Sequence, residues 1–349
     1  VPGVIMQFTG KDNPFTYTLT GLLFSCVFCI AVFITWRCTW EAKDVHQESD
    51  FKVDNKRNGG ILNHLKYLVL DLFSSFRIRA FRLHIIIYIF SFTAMDVFGS
   101  VFTYYVVYCL SQDAAAVSGW LSIAAFASVP GTYGFMLLLN RLNITPSAAL
   151  RLSYGCIFCV LAFLFSIYIT RTQVPAILFS AVFILLGAAR SGLYYIPWNI
   201  YSFIPDIDEL VTQQRREGIF AGVMVLTRKS TVAIAIMIIG LVLQESGFVK
   251  GSGAQPENAL HAIIGLMVFA TAALLAVSFF TTYKFKLTRE THKLLLKEIA
   301  RRKLGGDYRD CDESTRIVIK QLTGYEYDQV WGGNATPHAR ANVSLSGAK

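Results

Sequence analysis

Residues 204–248 read IPDIDELVTQQRREGIFAGVMVLTRKSTVAIAIMIIGLVLQESGF. Two unlike parts meet in this stretch. Residues 204–217 read as a short loop carrying both signs of charge. Residues 218–244 are apolar and long enough for a membrane-spanning helix, which needs about 20 such residues. Arg228 and Lys229 interrupt that run near its middle. Lys229 stands about 16 Å along the helix from Gly218 at 1.5 Å per residue. That is roughly half of a ~30 Å hydrocarbon core. A cation there costs about 2.5–3.5 kcal/mol on insertion scales and marks a functional site by default. The two side chains point about 100° apart, so one can face a cavity while the other faces a neighbour.

The rest of the chain fits a membrane setting. Of 349 residues, 54% are hydrophobic and only 16% charged, and the mean hydropathy is positive. Six further apolar segments have spanning length: 17–36, 84–110, 117–139, 148–170, 174–203 and 259–283. This predicts an all-α membrane protein with seven transmembrane helices in contact with the lipid bilayer. The net charge of +9 could serve nucleic acid, but the Lys and Arg alternate between the apolar runs and accumulate in the tail. Membrane topology accounts for them, so no nucleic-acid partner is expected. The positive-inside rule places residues 1–15 outside and the C-terminus in the cytoplasm.

Between the first two spans, 37–82 is too polar to span. Its part 61–81 has apolar residues at helical spacing and reads either as a helix on the cytoplasmic membrane surface or as one packed on the bundle. A second amphipathic stretch, 289–304, ends at Gly305 and Gly306, and residues 334–349 read as disordered. Asn143, Asn334 and Asn342 sit in glycosylation patterns that this topology turns to the cytoplasm. Cys26 with Cys29 and Cys156 with Cys159 form C-x-x-C pairs inside apolar runs, without the partners a metal or redox site needs. They read as small lipid-facing or core residues, and Cys311 as a free thiol.

Few residues in the spans carry chemistry. Asp96, mid-span, must pair, protonate or face water. It reads equally as a substrate or proton contact and as a structural ion pair. Arg190 lies among small residues in Gly-Ala-Ala-Arg-Ser-Gly, which permit close helix approach or leave room for a ligand. Tyr194 and Trp198 follow it around Pro197, and Trp198 reads as a packed side chain or a sugar-stacking platform. Arg190, Arg228 and Lys229 thus outnumber the single mid-span anion. Asp206, Asp208, Glu209, Arg215, Arg216 and Glu217 read as a solvated loop or as an intracellular gate whose ion pairs form in one conformation and part in another. No nucleotide-binding loop, metal-ligand cluster or nucleophile–base pair is present, so neither an enzyme nor a bound metal or cofactor is expected.

The run from Pro205 through Arg215-Arg-Glu-Gly, the downstream Lys229 and the following Gly240-Leu-Val-Leu-Gln-Glu-Ser-Gly resemble the glycoside–pentoside–hexuronide:cation symporters of the major facilitator superfamily. The tail, with His292-Lys-Leu-Leu-Leu-Lys-Glu-Ile and Leu322-Thr-Gly-Tyr-Glu-Tyr-Asp-Gln-Val-Trp, looks most like the oligogalacturonide-transporter branch. The resemblance implies twelve spans in two halves, of which these seven would be the sixth to twelfth. Val1 would then open the C-terminal portion of a longer chain, with the missing N-terminal half as its partner. Residues 1–36 would be a periplasmic entry and the last span of the first half. Residues 37–83 would be the link between halves, 84–285 the second six-helix half and 286–349 the cytoplasmic tail.

The same resemblance implies sugar transport coupled to Na⁺ or H⁺ in a bacterial inner membrane. Lys229 matches the family lysine linked to cation and sugar binding, while the acidic cation ligands belong to the first half. Arg228 and Arg190 depart from the melibiose branch. Both suit a uronate, because guanidinium binds carboxylate bidentately. The expectation is therefore symport of an acidic, oligogalacturonide-like oligosaccharide. The alternatives are a neutral glycoside or pentoside symporter, or a non-transporting membrane sensor or scaffold.

Overall fold

The computed structural model describes residues 14–39, 72–112, 114–172, 174–213, 215–251 and 254–331. Residues 61–71 of the expected surface helix, the Asn334 and Asn342 patterns and the expected disordered end lie outside these. The described residues are helical and contain no strand. All seven expected spans are present as long apolar helices, and the chain is an integral multi-pass membrane protein.

Helix α1, Pro14–Cys38, belongs to a separate compact unit. Its apolar residues are spread all around it, as a lipid-crossing helix requires. The other unit begins with α2, Arg79–Tyr104, which a π-helical turn prolongs to Cys109. This span therefore starts at Arg79, before the expected His84. Then follow α3, Ala114–Asn140, α4, Pro146–Thr170, and α5, Ala176–Tyr201. A short helix α6, Ile204–Thr212, leads into α7, Glu217–Glu245. The last span is α8, Glu257–Ile264, a π-helical turn and α9, Thr271–Lys284. Two tail helices close the described chain: α10, Arg289–Lys303, and α11, Glu313–Thr323.

Local chemistry sets several of these ends. Thr145 caps α4 by accepting from the Ala148 N–H, with Pro146 in the first turn where its missing N–H costs nothing. Thr288 and Thr291 form a reciprocal capping box at the start of α10. Gly324, at φ +86°, ends α11 in the left-handed region that favours glycine.

Small residues let α3 and α5 run close together, and theirs is the most extensive helix pairing in the unit. A Cβ on Gly187 would overlap the carbonyl oxygen of Ala124, and one on Gly131 would lie 2.7 Å from the Ala188 Cα. The small residues around Arg190 therefore serve helix approach. α2 lies among α5, α7 and α9. It is tied to its neighbours by a buried hydroxyl chain in which Ser91 meets Tyr154 at 2.8 Å and Ser278 at 3.2 Å. A polar pair in a dry interior both holds and registers the helices it joins.

Candidate functional site

Asp96, Arg190 and Arg228 stand on α2, α5 and α7, and α2 packs against both of the other helices. Asp96 on α2 accepts two hydrogen bonds from Arg228 on α7, Nη1–H to Oδ2 at 2.5 Å and Nη2–H to Oδ1 at 2.9 Å. This is the bidentate fork that guanidinium and carboxylate form best. The pair is only partly enclosed, with 19% of the Arg228 side chain and 25% of the Asp96 side chain accessible. Of the two readings of Asp96, the ion pair is the one found. Arg228 is consequently occupied by a carboxylate of its own chain.

Aromatic rings link this pair to Arg190. The Arg228 guanidinium lies over Phe92 at 5.3 Å, and Phe92 meets Tyr194 edge-to-face at 4.6 Å. Arg190 lies over the Tyr194 ring at 5.1 Å and donates from Nη2 to its hydroxyl at 3.1 Å. Tyr88 packs beside Phe92 at 4.5 Å and edge-on to Trp198 at 5.8 Å. Trp198 is packed against Tyr88 and is yet 44% exposed. Phe92 and Tyr88 complete this belt, and sequence reasoning missed both. The successive spacing of four from Tyr88 to Phe92 to Asp96 on a single helix was the available signal.

Among the described residues, Arg190 has no carboxylate within ion-pair distance, and neither has Lys229. Arg190 is half-buried and Lys229 is exposed. The structure thus brings together Asp96, Arg228, Arg190, Tyr194 and Trp198. Lys229 stands one position beyond Arg228, without contact to the belt.

The charged residues of 206–217 form a different kind of site. They are not a solvated loop: α6 is a helix whose every residue is buried. Its three acids each reach a different partner. Asp206 accepts from His292 Nε2 of α10 at 2.7 Å and lies 3.5 Å from Arg215. Asp208 takes both Nε–H and Nη2–H of Arg216 at 2.8 and 2.7 Å, and Arg216 also donates to the Ser74 hydroxyl at 2.9 Å. Glu209 pairs with Lys303 at the end of α10 at 2.5 Å. Arg215 in turn donates to Glu217 at 2.6 Å, which together with Asp206 holds its guanidinium above its ordinary pKa.

The tail completes the arrangement. The Phe203 ring stacks on His292 at 4.1 Å. The Trp331 N–H donates to the Leu210 carbonyl at 2.8 Å, and the Trp331 carbonyl accepts from Gln213 at 3.0 Å. The sequence gives no partner to His292, Lys303 or Trp331, and the fold brings all three onto α6 or its C-terminal end.

A family model described as MFS/sugar transport protein matches residues 1–289. The chain belongs to this family of transporters. An uncharacterized symporter of Synechocystis sp. is 28% identical over 261 residues, which is 72% of this chain and 46% of that protein. The chain thus spans about half the length of the curated relative it matches. Within this MFS fold the two clusters lie on one set of helices. α5 carries Arg190, Tyr194 and Trp198 and runs directly into α6, while Arg216 caps the start of α7 and Arg228 lies near its centre.

Proposed function

We propose that this chain forms the sugar-binding C-terminal side of a symporter that carries an acidic oligosaccharide, of oligogalacturonide kind, across a bacterial inner membrane. One observation carries the reading. Arg190 is a guanidinium among the spans with an aromatic ring and hydroxyl beside it and, among the described residues, no carboxylate in reach. Such a cation is costly in the membrane unless a ligand completes it. A uronate carboxylate does so bidentately, while Tyr194 and the exposed Trp198 supply aromatic surface for sugar rings. The belt stands on α2, α5 and α7, and the remainder of a full-length transporter provides the facing wall and the acidic ligands of the coupling ion, Na⁺ or H⁺. In this reading the C-terminus is cytoplasmic, and the α6 cluster and its tail partners form the inner end of the transport path.

The neutral-sugar alternative has one observation in its favour: Arg228 is already satisfied by Asp96, which leaves fewer cations for a charged ligand. Counterflow of labelled trigalacturonate and of an uncharged trisaccharide by the full-length protein in vesicles separates the two. We expect exchange of the acid sugar, lowered at least tenfold by Arg190→Lys, which keeps the charge but loses the fork. Exchange of the neutral sugar alone, or an indifferent Arg190→Lys, would sink the acidic-sugar reading. No exchange of either sugar would leave a sensor or scaffold.

A further inference from the structure

We propose that the joined ends of α3, α4 and α9 bind an anionic phospholipid on the side of the membrane where the tail lies. Three contacts bring these ends together. The Ser147 hydroxyl, in the first turn of α4, donates to the Phe285 carbonyl just past α9 at 3.0 Å. The Arg289 guanidinium, at the start of α10, donates to the side-chain carbonyl of Asn140 at the end of α3. The Arg151 guanidinium of α4 lies over the Tyr283 ring of α9 at 4.7 Å.

Each contact gathers cations. Arg141 follows Asn140, and Lys284 and Lys286 flank Phe285. With Arg151 and Arg289 they surround the joined ends, and no carboxylate answers them. The sequence has no acid from 114 to 205 or from 258 to 289, and Glu290 is the first beyond. Among the described residues, none of these cations has a carboxylate within ion-pair distance. Membrane topology accounts for basic residues at span ends. It does not account for their assembly into one patch from separate parts of the chain, against their mutual repulsion.

The border of the patch is apolar. Leu142 and Leu152 are exposed next to Arg141 and Arg151, and Phe280 is exposed one turn before Tyr283 on α9. Leu152 and Phe280 belong to spans, where bare apolar surface meets acyl chains. The ligand that fits has an anionic phosphate head joined to apolar chains. Guanidinium takes phosphate bidentately, and the Tyr283 ring already holds the Arg151 guanidinium in place. An acidic soluble protein would match the charge and leave the apolar side chains unmatched. Lipid binding of this kind needs no sugar, so it is independent of what the transporter carries.

The test is native mass spectrometry of the full-length protein, purified in a neutral detergent and titrated with phosphatidylglycerol or phosphatidylcholine. We expect phosphatidylglycerol to bind at least about tenfold more tightly. Arg151→Gln with Arg289→Gln should remove that preference and leave phosphatidylcholine binding as it was. Should that variant fold poorly, Lys284→Gln with Lys286→Gln changes two exposed side chains of the same patch and should lower the preference about tenfold. Arg309→Gln with Lys320→Gln, in the tail outside the patch, should keep it. Equal binding of both lipids by the wild type overturns the site, as does a preference that survives the patch variants. An equal loss in the tail variant would mean diffuse charge and would overturn it too. Displacement of the lipid by equimolar glycerol 3-phosphate would mark a site for free phosphate and overturn the lipid assignment.

Discussion

The chain holds two charge clusters that look alike in sequence and differ in saturation. In the α6 cluster, the acids of a buried helix each meet a cation, and the tail is recruited to supply two of the partners. In the mid-span belt, one of the two cations, Arg228, is matched by a carboxylate and the pair stays partly open. A saturated cluster holds elements together, since any rearrangement must first separate buried charges. An unsaturated one has capacity left for a ligand. The proposed function reads this contrast as anchoring by Asp206, Asp208 and Glu209 and recognition by Arg190 and its neighbours.

The contrast is most easily broken at Arg216. Replacing it by Ala leaves the Asp208 carboxylate unpaired where 1% of it is accessible. Losing one partner of a buried pair costs about 3–5 kcal/mol. Thermal unfolding of the purified protein should show a large loss of stability for Arg216→Ala. A loss no larger than that of a surface substitution would contradict the anchoring role.

Asp96 and Arg228 should respond less. Their partial exposure lets water replace part of what a partner supplied, so Arg228→Ala should cost about 1–3 kcal/mol, the range for orphaning a polar group. A double-mutant cycle with Asp96→Ala should show a coupling energy of about 1–2 kcal/mol, well under that of Asp208 with Arg216. Equal couplings in the two pairs would erase the distinction between anchor and site.

These clusters also mark what the sequence makes legible. The seven spans were readable because a run of about 20 apolar residues matches the thickness of a bilayer core and is rare outside one. Arg228, Asp96 and Arg190 were readable as costly residues in such runs. Who pairs with whom was not. Asp96 and Arg228 lie 132 positions apart, and Asp206 and His292 lie 86 apart. Nothing in either neighbourhood encodes the helix packing that brings them together. The helical and buried state of α6 was hidden for the same reason: its charges left a solvated loop and a gate both open, because two partners of its acids, His292 and Lys303, lie in the returning tail. The second tail helix, α11, has the 3.6-residue pattern but sits between polar turns, which hid it among loop residues.

The smallest effects belong to the outer rim of the anchoring region, where water competes with each contact. Lys303 is 59% exposed, so Lys303→Ala should cost below about 1 kcal/mol despite its short contact with Glu209. Glu298 sets the response to pH. Burial pushes its carboxyl up, but bonds from Arg301 and Tyr327 outweigh burial and hold it below its ordinary value of about 4.5. A carboxylate depressed by folding stabilises the folded state above its unfolded pKa and loses that contribution as pH falls through the folded value. The docking of α10 with the segment around Tyr327 should therefore be unaffected near neutrality and loosen only below about pH 4.5. The protection factors of α10 amides, that is hydrogen exchange corrected for the intrinsic rate at each pH, should fall on acidification across that range, and Glu298→Gln should remove most of that change. An α10 that loosens on going alkaline would reverse the sign and show that another group governs the tail.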